Sequence, residues 1–287
     1  MTDVYALVSG AVLCWCAAVF VPAGFWERLL ARNYAGRLVS AALGLPVAIA
    51  AIGPGALNGL GLAIRGGSIG PTSWSLLMGG ALVFGVGLVD DLRPQGPRGI
   101  RGHLRSLARG GVTTGVWKVL AGLGAGLLVA WSGVGRSWAE GLAGAVLIAA
   151  ASNLWNGLDV APGRAAKAFF LAAVPLAIVQ PTTIMMRTIG AMVPAGWLDL
   201  RERGMLGDGG ANLLGFVVGA HLYLWLHGSA LLVWAGLAVA LNLLAETVTL
   251  SRIIQAWPPI RWFDGLGRRE HAQEQDKQIP DEHSPST

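Results

Sequence analysis

The feature that most limits how this chain can fold is a series of long apolar stretches separated by short polar ones. A helix needs about 20 residues to cross a bilayer. Backbone groups in lipid must be paired within the segment, so apolar stretches of this length are predicted to be helices. We therefore expect an all-α fold, a polytopic transmembrane helix bundle of about nine spans. The predicted spans are residues 4–24, 37–58, 73–89, 112–132, 138–158, 165–180, 182–199, 208–227 and 229–250.

The composition favours the same class of protein. Of the 287 residues, 54% are hydrophobic and only 13% are charged, whereas soluble domains carry about 25% charged residues. The 42 glycines are typical of membrane helices that pack closely. A net charge of +5 could indicate nucleic-acid binding, but the positions of the basic residues argue against it. We expect no nucleic-acid partner.

The basic residues predict the orientation, because Lys and Arg are enriched in cytoplasmic loops. With the N-terminus outside, the cytoplasmic loops receive most of them, including those between residues 93–109 and 252–269. We therefore expect a multi-pass protein of the cytoplasmic membrane, with its N-terminus outside and its C-terminus in the cytoplasm. Residues 1–269 would form the transmembrane domain, and the polar residues 270–287 would form a disordered cytoplasmic tail.

Acidic residues are few, and they collect at span ends on the predicted cytoplasmic side. Asp90 and Asp91 end the third span, Asp159 follows the fifth, and Asp208 begins the eighth. Carboxylates that gather repel one another unless a cation lies among them, and sites made only of oxygen ligands favour Mg²⁺. The alternative is that acids at span ends simply face water. As a set, these residues predict a site at one membrane face.

Polar residues before Asp159 form a second pattern. Asn153, Asn156 and Asp159 are spaced so that they share about a third of the circumference of a helix, and Arg164 opens the next segment. A polar stripe beside basic residues suits a diphosphate. It could equally be a polar seam between helices.

A third pattern combines glycines with an acid. Gly207-Asp208-Gly209-Gly210 precedes an apolar run. Its glycines would allow close backbone approach to a ligand, and a helix N-terminus favours anions. The alternative makes Asp208 an ordinary N-cap. Lys118 lies near the inner end of the fourth span, where its ammonium could also reach the interface by snorkelling.

Four motifs, taken in chain order, resemble those of the polyprenyl-phosphate N-acetylhexosamine-1-phosphate transferases. Phospho-N-acetylmuramoyl-pentapeptide transferase belongs to that superfamily. Each motif alone is weak, but their order and their shared membrane face make the resemblance specific. The similarity covers about residues 75–252, and its motifs are Val89-Asp90-Asp91-Leu92, Gly115-Val116-Trp117-Lys118, Asn153-Leu154-Trp155-Asn156-Gly157-Leu158-Asp159 and Leu206-Gly207-Asp208-Gly209-Gly210.

The resemblance implies an activity and its partners. The family transfers a phospho-sugar from a UDP-sugar to a polyprenyl phosphate, releasing UMP, with Mg²⁺ at the cytoplasmic surface. The expected function is therefore transfer of a phospho-N-acetylhexosamine for cell-envelope glycan synthesis. The expected partners are the polyprenyl phosphate carrier, a UDP-amino sugar and membrane lipids. A homodimer is one open alternative for the assembly.

The resemblance also assigns roles to residues. Catalysis is expected at Asp90, Asp91, Asp159 and Asp208, and metal ligation at Asp91, Asp159 and Asp208. Substrate binding is expected at Lys118 and Asn153 from the resemblance, and at Asn156 and Arg164 from the polar stripe.

The chain departs from the family in three places. Asn156 stands where the family usually has an Asp, Ala211 replaces a common Ser, and residues 258–269 replace a His-rich cytoplasmic loop. These departures leave a second hypothesis open, a non-catalytic relative that binds a polyprenyl carrier. A secondary transporter is disfavoured, because transporters place polar groups near the bilayer midplane within repeats, and this chain shows neither.

Overall fold

The computed structural model describes residues 2–21, 23–32, 38–93, 106, 108–111, 113–132, 135–248 and 250–268. The predicted tail at residues 270–287 and most of the basic cluster at 93–109 lie outside this part of the chain. Within it the fold is almost entirely helical. The helices are α1 Thr2–Phe20, α2 Ala23–Arg28, α3 Gly44–Ile64, α4 Pro71–Leu92, α5 Thr114–Ala130, α6 Trp138–Leu158, α7 Arg164–Val179, α8 Thr183–Leu200, α9 Gly207–Trp225, α10 Gly228–Thr247, α11 Leu250–Ala256 and α12 Pro258–Gly265.

One small sheet interrupts the helices. Strands β1 (Leu30–Arg32) and β2 (Leu38–Ser40) pair in antiparallel fashion. The predicted span at residues 37–58 begins as a helix only at Gly44, because residues 38–40 pair with β1 instead.

Among the described residues, five helices are long and apolar enough to cross a membrane, namely α1, α3, α4, α6 and α10. Helix α5 is apolar but shorter, with 17 residues. The all-α class is confirmed, and the apolar helices are consistent with a membrane protein. Helices α7, α8 and α9 coincide with predicted spans but are not among the five. The number of nine spans and the orientation of the termini therefore stay predictions.

Helix α9 lies at the centre of the bundle. Almost all its side chains are buried, including the large rings of Phe216 and Tyr223. It packs against α3, α4, α6 and α7, while α5 packs against α4 and α6, and α1 packs against α8. A helix that is apolar on every side suits such a central position.

The start of α9 approaches its neighbours so closely that main chains meet. A Cβ atom added to Gly87 of α4 would lie 2.6 Å from Gly209 Cα, and one added to Gly44 of α3 would lie 2.5 Å from Gly210 Cα. Gly207 also has a left-handed backbone conformation, with φ at 71°. The sequence suggested that these glycines let a backbone approach a ligand. In the structure they let helices approach one another.

The other end of α9 is held by a cation. The Arg136 Nη2 group donates to the Leu224 carbonyl at 3.0 Å, and Nη1 donates to the Leu226 carbonyl. The guanidinium carbon lies 4.3 Å from the centre of the Tyr223 ring. The last carbonyls of a helix carry a partial negative charge, so a cation there is stabilising.

A pair of alanine substitutions in α4 tests the glycine contact. Gly87→Ala should lower the free energy of unfolding relative to Gly85→Ala by about 1–3 kcal/mol, the usual cost of overpacking. Both substitutions gain the same helix propensity, but a Cβ at Gly85 meets nothing within 4 Å. The measurement is thermal unfolding of the detergent-solubilised protein. Equal stability of the two variants would contradict the contact.

Candidate active site

The N-terminus of α9 lies where several other segments begin or end. The segment before it runs beside the junction between β2 and α3, through three backbone hydrogen bonds. The Met205 N–H donates to the Ser40 carbonyl at 2.8 Å, and the N–H groups of Leu43 and Gly44 donate to the Met205 and Leu206 carbonyls, both at 3.0 Å. Backbone hydrogen bonds therefore hold this end of α9 independently of the carboxylates around it.

Asp91, at the end of α4, caps α9 from outside the helix. Its Oδ1 accepts the Asp208 N–H at 2.9 Å and its Oδ2 accepts the Gly209 N–H at 3.0 Å. The first N–H groups of a helix lack intrahelical partners, and Leu206, in the N-cap position, provides no side-chain hydrogen bond. A carboxylate also suits the positive end of the helix dipole. Asp91 therefore supplies the cap that the local sequence lacks.

Asp159, just after α6, contacts the same helix end. Its Oδ2 accepts the Gly207 N–H at 3.0 Å. Burial, reinforced by the nearby charges of Asp199 and Asp208, raises the pKa of Asp159 well above its usual range. Two acids, one at the end of α4 and one just after α6, thus accept hydrogen bonds from three successive N–H groups, those of residues 207–209.

Lys118 in α5 joins two further carboxylates. Its ammonium contacts both Asp90 and Asp208, and all three side chains remain partly open to solvent. The interpretation of Asp208 as an N-cap is wrong, since its side chain turns to Lys118 and Leu206 holds the N-cap position. This group of one ammonium and two carboxylates is accessible to a ligand.

A second cluster, which we call the Asp264 clasp, consists of Arg164, Asp264 and Arg268. Arg164 Nε and Nη2 donate to Asp264 Oδ1 and Oδ2 at 3.0 and 2.9 Å, and Arg268 Nη2 donates to Oδ2 at 2.6 Å. Arg164 Nη1 also donates to Ser251 Oγ at 2.7 Å, and Arg268 Nε to the Pro162 carbonyl at 3.1 Å. The clasp attaches α12 to the start of α7.

The charges of the clasp change the acidity of its carboxyl. Burial alone would raise the pKa of Asp264, but the hydrogen bonds from Arg164 and the positive charges of Arg164 and Arg268 outweigh burial. The pKa of Asp264 is therefore lowered below its ordinary value.

A pocket lies beside Asp159 and the turn between α6 and α7. It encloses about 280 Å³, including space open to solvent, and Asp159, Pro162, Asp199 and Glu202 are among the residues that line it. Asp199 Oδ2 accepts the Gly163 N–H at 2.9 Å, which fixes the turn between α6 and α7. The pocket wall is thus acidic near Asp159, and the basic side chains of the clasp lie beyond Pro162.

The structure brings together five of the residues predicted for the site, namely Asp90, Asp91, Lys118, Asp159 and Asp208. Of the other three, Asn153 and Arg164 contact different residues. The Asn153 amide donates to Asn242 Oδ1 of α10 at 2.6 Å, which is the polar seam between helices that the sequence also allowed. Asn156 is half-buried in α6, and Arg164, only 4% exposed, belongs to the clasp.

Metal ligation is predicted for Asp91, Asp159 and Asp208. In the described part of the chain, no group of three or more His, Cys, Asp or Glu side chains is arranged to hold a metal ion. Asp91 and Asp159 direct oxygens at backbone N–H groups, whereas Asp90 and Asp208 each place one oxygen on the Lys118 ammonium. Mg²⁺ is usually bound by one or two carboxylates together with water and phosphate oxygens. Asp90 and Asp208 supply that number of carboxylates, and Mg²⁺ would bind through their oxygens that do not contact Lys118.

The contacts of three further residues were not predicted. Asn242 is a lone amide in an otherwise apolar run, and that isolation is the signal that could have identified it as the partner of Asn153. Asp199 lies at the end of a predicted span, where an acid alone does not indicate its partner. Arg136 lies between two predicted spans, and a single charged residue in such a place often has a partner.

Comparison with known proteins adds no assignment, since the chain matches no family model and no curated protein sequence. The resemblance in the four motifs therefore stays a prediction.

The cap formed by Asp91 is tested by removing its carboxylate. Asp91→Ala should lower the free energy of unfolding by about 2 kcal/mol, the upper range for a lost helix cap, because two N–H groups lose their acceptor. Asp91→Asn should cost less, since an amide oxygen remains. The measurement is thermal unfolding in detergent. Asp3→Ala, which removes an exposed acid from the first turn of α1, is the matched control and should change stability little.

The Asp264 clasp predicts a dependence of stability on pH. A carboxyl whose pKa is lowered on folding adds stability that is complete above its ordinary value, 3.8, and lost as the pH falls through the lower folded value. The stability difference between the unaltered chain and Asp264→Asn should therefore be largest near neutral pH and shrink below about pH 4. Thermal unfolding across this range measures it.

Arg261→Gln, on the exposed side of the same helix, is the control for that series and should be nearly neutral at every pH. If the stability difference between Asp264→Asn and the unaltered chain became larger at acidic pH, Asp264 would not be held as a carboxylate in the folded protein.

Proposed function

We propose that this protein transfers a phospho-N-acetylhexosamine from a UDP-sugar to a polyprenyl phosphate, releasing UMP, at the cytoplasmic face of a membrane. The observation that carries the proposal is the group formed by Lys118, Asp90 and Asp208. It lies at one end of a bundle of apolar helices, where α4 ends and α5 and α9 begin. A lipid phosphate would reach such a place with its chain in the bilayer and its headgroup among these charges.

The reaction needs positioning and neutralisation of charge more than covalent help from the protein. An oxygen of the lipid phosphate forms a bond to the sugar-bearing phosphorus of the UDP-sugar. The bond from that phosphorus to the bridging oxygen breaks, and UMP leaves with that oxygen. The Lys118 ammonium is suited to contact a phosphate oxygen, because it lies between two carboxylates that hold it in one place.

Mg²⁺ is the proposed cofactor, and Asp208 and Asp90 are the residues that would hold it. When bound, it would neutralise the charge of the diphosphate. Asp91 and Asp159 are assigned a positioning role, because they accept the N–H groups of residues 207–209. They would fix the start of α9, and with it the Asp208 side chain.

A second candidate function is binding of a polyprenyl carrier without turnover. One observation favours it, since Asn156 provides no carboxylate where the family usually has one. In this function the Lys118 group would bind the lipid phosphate and nothing would be transferred.

The test is release of UMP by the purified full chain with polyprenyl phosphate, Mg²⁺ and a panel of UDP-amino sugars. We expect turnover with at least one sugar. Asp208→Asn and Lys118→Met should each lower turnover by at least about 100-fold, the range for loss of a group that stabilises developing charge. Asp3→Asn is the matched control and should retain full activity, because Asp3 lies in the first turn of α1, far in sequence from the site residues.

Thermal unfolding of each variant separates loss of chemistry from loss of fold. Full activity in folded Asp208→Asn would contradict the role assigned to Asp208. No turnover with any sugar, together with lipid-phosphate binding that Lys118→Met abolishes, would replace the transferase by the carrier-binding protein.

A further inference from the structure

Helix α12 has one polar face turned to the protein and one apolar face turned away from it. Asp264 is 5% exposed, whereas Trp262 is 68% exposed and Leu266, just past the helix end, is 40% exposed. At about 100° per residue, Trp262 and Leu266 each lie about 160° around the helix from Asp264. The side opposite the clasp therefore presents a large ring and an aliphatic chain to the surroundings.

The clasp fixes the position of this apolar face relative to the end of a candidate membrane span. Arg164 is the first residue of α7, and Pro162 is in the turn that follows α6. Lys167, on the first turn of α7, donates to the Phe263 carbonyl at 3.2 Å. Because α6 is long and apolar enough to cross a membrane and ends at Leu158, α12 is attached to the end of a candidate span. The end of a membrane span lies where the hydrocarbon core of a bilayer meets the headgroups and water.

The chain before α12 shows the same pattern. Helix α10, another candidate span, exposes apolar side chains such as Leu237 and Leu243. The chain then passes through α11 to Trp257, which is also exposed. Arg261 is exposed on α12 itself. Trp is enriched at membrane interfaces, and amphipathic helices with basic residues lie along them with the apolar side buried.

We propose that α12 is a membrane-surface helix whose Trp262 and Leu266 insert into the boundary between lipid headgroups and acyl chains. Arg261 contacts lipid phosphates, and the Asp264 clasp holds the helix at that depth. A lipid surface is favoured over a soluble partner because the apolar face is attached to the end of one candidate span and follows another along the chain. This contact of α12 with the membrane does not depend on the transferase activity.

The test measures what surrounds the α12 side chains in the full chain. In a background with Cys14→Ala and Cys16→Ala, a spin label is attached through Trp262→Cys or Leu266→Cys. The protein is reconstituted in vesicles of phosphatidylcholine and phosphatidylglycerol. Collision rates are compared for oxygen, which concentrates in lipid, and for a nickel chelate, which stays in water. Leu243→Cys, on an exposed residue of α10, is the lipid control, and Arg109→Cys, on an exposed turn residue, is the water control.

We expect both α12 labels to favour oxygen over the chelate several-fold more than the Arg109 site does, approaching the ratio at Leu243. Adding Asp264→Asn should move the ratio towards that of the water control, because the helix loses its attachment. Labels that meet the chelate as freely as the Arg109 site would overturn the proposal. Labels shielded from both reagents would also overturn it, since they would show that protein, such as a second copy of the chain, covers this face.

Discussion

The arrangement of the site depends on how the N–H groups at the start of α9 are satisfied. This helix begins inside the protein, and neither Leu206 nor Asp208 caps it with a side chain. The missing acceptors come from Asp91 at the end of α4 and Asp159 after α6. An unpaired N–H group in such a place would cost about 1–3 kcal/mol, so the ends of three helices are held together by this requirement.

The need for acceptors at the start of α9 divides the four clustered acids into two kinds. Asp91 and Asp159 accept backbone hydrogen bonds, whereas Asp90 and Asp208 face one ammonium. Their roles in the proposed chemistry differ accordingly, because an acid that caps a helix acts on a substrate only through the residues it positions. Loss of activity in Asp91 or Asp159 variants would therefore have to be compared with loss of fold, and Asp208 and Lys118 are the sharper probes of chemistry.

The sequence predicted the helices and the meeting of the acids for clear physical reasons. Long apolar runs can satisfy their backbone only as helices in lipid, and the orientation rule brought Asp91, Asp159 and Asp208 to one face. The sequence could not predict which acid would cap α9 and which would pair with Lys118, because this depends on how closely α4 and α9 approach. Nor could it predict the pairing of Arg164 with Asp264, which lies 100 residues further along the chain. That pairing depends on where α12 folds back.

The crossing of α4 and α9 also limits how this chain can vary. In most helix pairs a larger side chain on one partner can be accommodated by a smaller one on the other. At Gly87 and Gly209 neither residue has a side chain to shorten, and a Cβ on either would approach main-chain atoms of the facing helix. A second substitution within the pair therefore cannot compensate for the first. Because Gly87 precedes Asp90 by less than one turn and Gly209 follows Asp208 directly, contact between main chains sets the backbone separation at those two acids, and side-chain exchange at the glycines cannot adjust it.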